Sequence, residues 1–202
     1  WPAPPANNNA PRVVGTAEAM SWVRIYGDSS CDGGVLANAT AAEFVVDAGP
    51  DSGIAVAVGD DSTTTFYATA TDDAGNVSAC SASFVVYRED SQAPAAPSSL
   101  TVSPPPPANN NNPVVKGTVE ALSFVRVYTD SLCQGSVGAS GTAAAFSQGA
   151  GISVNVADNF DGGFFATAMD DAGNVSSCSQ GVVYVEDSVA PSAPTIFVNP
   201  LG

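Results

Sequence analysis

Histidine is missing from all 202 residues. That removes the commonest general base and most zinc and transition-metal ligation, and it leaves a serine nucleophile without an imidazole to take its proton. Positive charge is scarce as well: five Lys and Arg stand against 20 Asp and Glu, a formal net charge of −15. Nucleic acid and anionic membrane surfaces both require positive charge, so neither is an expected partner. A compact state this acidic repels itself unless counter-ions or bound cations offset it. The sequence carries no apolar run of membrane-spanning length and no signal-like segment, so membrane insertion is not expected. It begins at Trp1 rather than Met, which reads as a processed product or a part of something longer. No long stretch shows a 3.6-residue apolar period, and Ala, Val, Thr, Ser and Gly dominate, so the chain reads as all-β.

What the sequence does have is repetition. Thr71-Asp72-Asp73-Ala74-Gly75-Asn76-Val77-Ser78-Ala79-Cys80 returns as Met169-Asp170-Asp171-Ala172-Gly173-Asn174-Val175-Ser176-Ser177-Cys178. Each copy follows an alternating run, Phe66-Tyr67-Ala68-Thr69-Ala70 or Phe164-Phe165-Ala166-Thr167-Ala168. Each precedes an apolar one, Phe84-Val85-Val86-Tyr87 or Val182-Val183-Tyr184-Val185. Strand, Asp/Gly/Asn turn, strand is a hairpin signal, and Gly75 and Gly173 can take the positive φ such a turn needs. A chain of 202 residues suits two domains of about 100 residues, each able to bury a core.

The four cysteines fall as one pair per repeat, Cys31 with Cys80 and Cys133 with Cys178. Neither pair has the close spacing of a zinc or redox motif. Four cysteines allow three pairings, of which the repeat favours the internal one. Each disulfide would close a loop of roughly 50 residues, worth about 3–4 kcal/mol on the chain-entropy estimate, and implies an oxidising, extracytoplasmic location.

In chain order, residues 1–12 form an extended Pro/Asn segment whose twin is 103–114. Strand pairs are expected at 13–18 and 21–26, and again at 115–120 and 123–128. On the second strand of each pair, Val23/Ile25 and Val125/Val127 would face the core. Trp22/Arg24/Tyr26 and Phe124/Arg126/Tyr128 would form a solvent-facing cation–π ladder or a contact surface. Weaker strands are expected at 34–39, 43–46 and 54–58, with partners at 136–140, 143–146 and 152–156. Proline-rich linkers follow Glu89-Asp90-Ser91 and Glu186-Asp187-Ser188.

After the first linker, residues 98–102 should be the first strand of the second repeat. After the second, Thr195-Ile196-Phe197-Val198 should be the first strand of a third. Aligned on the repeat, Trp1 falls opposite Ser103, so the first repeat begins beyond the point where its own first strand belongs. The expected domains are 1–92, a repeat without its first strand; 93–190, a complete repeat; and 191–202, an orphan strand. Two readings stand side by side. The chain is an excerpt of a longer array cut out of phase, or the orphan strand of one copy fills the empty slot of the next, head to tail, as in donor-strand assembly.

Residues 15–19 (Gly-Thr-Ala-Glu-Ala), 23–26 (Val-Arg-Ile-Tyr), 66–76 and 89–94 together resemble the bacterial immunoglobulin-like repeats of large surface adhesins and other extracellular repeat proteins. The resemblance covers essentially the whole chain, twice. It implies a seven-stranded antiparallel β-sandwich per repeat and a role in a stalk or fibre at the bacterial cell surface. It also implies calcium near domain junctions. The sequence departs from exact repetition at 49–53, Gly-Pro-Asp-Ser-Gly, where the second repeat has Gln-Gly-Ala-Gly at 148–151.

Calcium is also the ligand the residues themselves support. Asp72, Asp73, Asn76, Glu89 and Asp90, with their counterparts Asp170, Asp171, Asn174, Glu186 and Asp187, could supply the six to eight oxygens the ion takes. The spacing is not that of an EF-hand, and Asp and Asn equally cap turns of this kind. Catalysis has little support, since neighbouring carboxylates on a strand point to opposite faces. An isopeptide cross-link needs a lysine, yet Lys116 is the only one and Val14 stands at the equivalent place. Three sequons, at Asn38, Asn76 and Asn174, are the accidental matches such a chain carries. The expected protein is therefore a non-enzymatic extracellular module partnered by copies of itself or by neighbouring repeats, with a surface receptor or glycan as a further partner. The alternative is a carbohydrate-binding module using Trp22 as its platform.

Overall fold

A computed structural model describes residues 5–46 and 52–198. The chain divides into two compact units. The first comprises Trp1–Ala93 together with the Asp170–Asn174 turn, and the second Pro94–Met169 and Val175–Gly202. Each is an immunoglobulin-like β-sandwich in which every strand pairing is antiparallel.

In the first unit, β1 (Arg12–Val13) pairs with β4 (Ile54–Ala55). Against this small sheet stands one of four strands, in the order β3 (Val35–Thr40), β2 (Trp22–Tyr26), β5 (Thr63–Thr71), β6 (Val85–Arg88). The alternating pattern of β2 works as the pleat requires, with Val23 and Ile25 fully buried. They join Phe44, Ile54, Val56, Phe66 and Tyr87 in the core.

The second unit repeats this plan with one strand more. Its four-stranded sheet runs β10 (Ala139–Thr142), β9 (Phe124–Tyr128), β12 (Asp161–Met169), β13 (Val182–Val185). The opposing sheet has three strands, β11 (Ile152–Ser153), β8 (Val114–Thr118) and β7 (Ser98–Ser103). Strand β7 lies along β8 with Thr101 opposite Lys116, Val102 opposite Val115 and Ser103 opposite Val114. From it, Leu100 and Val102 pack onto a core built on Val125, Val127, Phe146, Phe164 and Tyr184. Among the described residues the first unit has no counterpart of β7.

Several sequence expectations need correction. Residues 43–46 and 143–146, expected as strands, lie in or beside short helices, α1 (Ala41–Phe44) and α2 (Ala143–Ser147). The cause is capping. Thr40 donates its backbone N–H and hydroxyl to Glu43 Oε2 at 2.9 and 2.8 Å, and Thr142 Oγ1 accepts from the Ala145 N–H at 3.2 Å. Each helix then buries one aromatic ring, Phe44 or Phe146. The strands expected at 54–58 and 152–156 are two residues long. The aromatic ladder is also curtailed. Trp22 and Phe124 are exposed, but Tyr26 and Tyr128 are buried at the strand end where the disulfides tie down the following turns. Thr195-Ile196-Phe197-Val198, expected as a strand, forms none and is exposed throughout, for among the described residues no strand lies beside it to complete its backbone hydrogen bonds.

Candidate functional site

The repeated hairpin is tight only at its tip. Thr71 bridges Val77 and Met169 bridges Val175, and Gly75 and Gly173 turn the chain at φ 88° and 91°. Residues 78–84 then form no regular strand but stay tied to β5, the Ser78 and Ser81 N–H groups donating to Ala70 O and Ala68 O at 2.9 Å each. The chain continues as β6, which pairs from Phe66 opposite Val85 to Thr63 opposite Arg88. The strap so formed carries Cys80. It is joined to Cys31 with the Cα atoms 5.6 Å apart, and Cys133 joins Cys178 in the same way at 5.7 Å.

Most of the carboxylates proposed for calcium are engaged within the protein. Asp72 accepts from both the backbone and side-chain nitrogens of Asn76, each at 2.8 Å. The Asn76 side chain, more than its backbone N–H, holds the Asp72 carboxyl below its ordinary value of 3.8. Asp170 accepts from Asn174 in the same two ways, at 2.8 and 2.9 Å. Asp73 and Asp171 project into solvent. Asp90 accepts from the Gln92 N–H and stands 3.9 Å from Arg88, and Asp187 accepts from the Val189 N–H. Among the described residues no three His, Cys, Asp or Glu side chains gather closely enough to hold a metal. Asp72 and Asp170 are thus each closed on the asparagine of their own turn.

Glu89 and Glu186 have a role that sequence reasoning missed. Both are about 1% exposed. Glu89 Oε2 accepts from the Asp61 N–H at 2.7 Å and from Ser91 Oγ at 2.9 Å, while Glu186 Oε2 accepts from the Asn159 N–H at 2.6 Å and Ser188 Oγ at 2.7 Å. Each carboxylate thus pins the turn before β5 or β12 to the start of the linker, and the repeated Glu-Asp-Ser was its signal. The neighbouring tyrosines clamp the Pro/Asn segments. The Tyr87 hydroxyl donates to Asn8 O at 2.8 Å and the Tyr184 hydroxyl to Asn110 O at 2.7 Å. Burial first, then the adjacent glutamate, raises both tyrosines above their ordinary 10.0. Side chains of Asn9 and Asn111 fasten the same segments to Asp60 and Asp158, each at 2.8 Å.

Beside residues 13–17 the first unit holds a cleft of about 370 Å³. Its floor includes Val23, Phe44, Phe66 and Ala68, and its far wall is formed by the strap and Val85. Among the described residues that line it none is charged, although the chain as a whole carries −15. The cleft lies where β7 lies in the second unit. There β7 runs along β8, the equivalent of residues 12–16, and also packs against β13, the equivalent of β6. Where β7 is present, Ala166 is fully buried and Val182 is packed against the core. Where it is missing, the equivalent Ala68 is only partly covered and Val85 is 53% exposed.

No family model matches this chain, and no curated protein is significantly similar to it. Among solved structures it is similar to the FN1–FN3 domains of chicken CNTN1, 11% identical over 91% of this chain and 67% of that one, with a TM-score of 0.46. The amphioxus IgVJ-C2 molecule is 14% identical over 86% of this chain and 93% of that one, at a TM-score of 0.25. The architecture assigned above rests on strand order and register.

Proposed function

We propose that this chain is a non-enzymatic structural module of an extracellular bacterial fibre or adhesin-like stalk. The observation that carries the reading is the division of labour among its polar residues. Each sandwich is closed by its own disulfide, and the repeated Asp, Asn, Glu and Tyr residues hold turns and linkers in place. Such an arrangement supplies stiffness at many points and chemistry at none of those named. Paired cysteines in a chain of this size favour an oxidising location. The repeated Pro-rich linker favours a semi-rigid spacer over a flexible tether.

The test is location and redox state. Antibodies raised against the chain should label unpermeabilised cells of its source, and thiol alkylation without reductant should modify none of the four cysteines. Cytoplasmic protein with free thiols would sink the reading. Trp22, 52% exposed at the end of β2, keeps a sugar-binding role in view. It predicts a saturable carbohydrate isotherm abolished by Trp22→Ala, and a glycan array without hits removes it.

A further inference from the structure

We infer that the uncharged cleft of the first unit is a strand-acceptor site, and that its occupant is the segment Thr195-Ile196-Phe197-Val198 of a second copy of this chain. The inference concerns assembly and does not depend on where the protein resides.

The second unit is the template. There the cleft position is filled by β7, which hydrogen-bonds to the edge of β8 and turns Leu100 and Val102 inward and Thr101 outward. The first unit has the equivalent residues at 12–16, of which only Arg12 and Val13 are strand, with no strand alongside them among the described residues. It leaves open the space that those two side chains fill in the second. A slot of this kind selects an extended segment with apolar residues at alternate positions, because successive strand side chains point to opposite faces. Main-chain bonds supply affinity and the pockets supply choice of sequence.

One segment of the chain fits that description and is unused. Val198-Asn199-Pro200 repeats Val102-Ser103-Pro104, which sets Val198 in the place of Val102, Ile196 in the place of Leu100 and Phe197 in the outward place of Thr101. On the template's register Val198 falls opposite Val13 and Phe197 opposite Val14. Ile196, Phe197 and Val198 are 88%, 89% and 90% exposed, an apolar run left in water. The segment carries no charge and neither do the described residues that line the cleft, so this contact escapes much of the repulsion that a chain of −15 exerts on its copies elsewhere. Donor and acceptor are different surfaces of one chain, so the contact is heterologous and propagates head to tail.

Sedimentation velocity of the full chain, with disulfides intact, tests this over a range of concentrations. The expected result is a sedimentation coefficient that climbs with concentration. A synthetic peptide of residues 189–202 should cap the acceptor and return the chain to a monomer. The double variant Ile196→Asp, Val198→Asp should lose association altogether, whereas Phe197→Ser, on the outward face, should keep it. The three positions are exposed and pack against neither core, so none of these variants should disturb folding, and an unchanged melting curve verifies that. A chain that stays monomeric at every concentration overturns the inference, as does association that survives the double aspartate variant.

Discussion

At the residue scale, the informative side chains are those that resolve a choice the sequence left open. An Asp-Asp-Ala-Gly-Asn turn reads equally as a cation ligand set and as a self-capped turn, because both uses need a carboxylate beside a tight bend. Asp72 closes on Asn76, and Asp28, Glu43 and Asp130 likewise cap turns. The Ser30 hydroxyl lowers the Asp28 carboxyl, the Thr40 backbone N–H lowers Glu43 and the Gln134 backbone N–H lowers Asp130. A lowered carboxyl adds stability that is complete above its unfolded value, 3.8 for Asp and 4.5 for Glu here, and is lost as pH falls through the folded value. Tyr87 and Tyr184 act in the opposite sense: raised above 10.0, they add stability that is complete below that value and lost as pH climbs through it. Scanning calorimetry in about 150 mM salt, where surface charge is screened, should therefore show a plateau in Tm between roughly pH 5 and 9 with a fall on both sides. A fall beginning near pH 7 would contradict this assignment. Glu89→Ala removes the buried acceptor of the Asp61 N–H and should lower unfolding free energy by about 1–3 kcal/mol in a denaturant titration. Addition of millimolar calcium after chelation should leave Tm where it was.

At the scale of elements, legibility followed side-chain alternation. Strands β2, β5, β6 and their partners β9, β12, β13 carry period-two patterns bounded by Gly, Asp and Asn, and they stand where that pattern places them. The two helices escaped because four or five residues of Ala, Phe and Glu or Ser contain no measurable period. The legible signal was the cap, Thr40 three residues before Glu43. The cleft was half legible: the repeat showed that a first strand was wanting, but not that its place would remain an open slot with no charge among the described residues that line it. Thr142→Ala deletes the α2 cap and should destabilise the second unit by about 1 kcal/mol. Replacing Cys133 and Cys178 by serine opens a loop of 45 residues and should cost about 4 kcal/mol, against unchanged stability for conservative surface substitutions. Separate unfolding transitions, read by denaturant titration, would assign each loss to its unit.

At the scale of the whole molecule, charge is the dominant liability. A net −15 on 202 residues opposes compaction, and the Arg88–Asp90 pair, with Arg88 well exposed, offsets little of it. Raising ionic strength from about 0.01 to 0.15 M shortens the screening length from roughly 30 to 8 Å. Tm should rise accordingly, the reverse of what a fold held by surface ion pairs would do. The disulfides have a mechanical consequence as well. When a chain is pulled from its ends, a covalent loop is bypassed by the load. Of the contour that each unit could release, the 49 residue steps from Cys31 to Cys80 and the 45 from Cys133 to Cys178 stay locked. At about 3.5 Å per extended residue, that withholds roughly 170 and 160 Å of extension. Each unit can thus yield under tension and still reel out only about half of its length, so reduction should lengthen every unfolding step by those amounts.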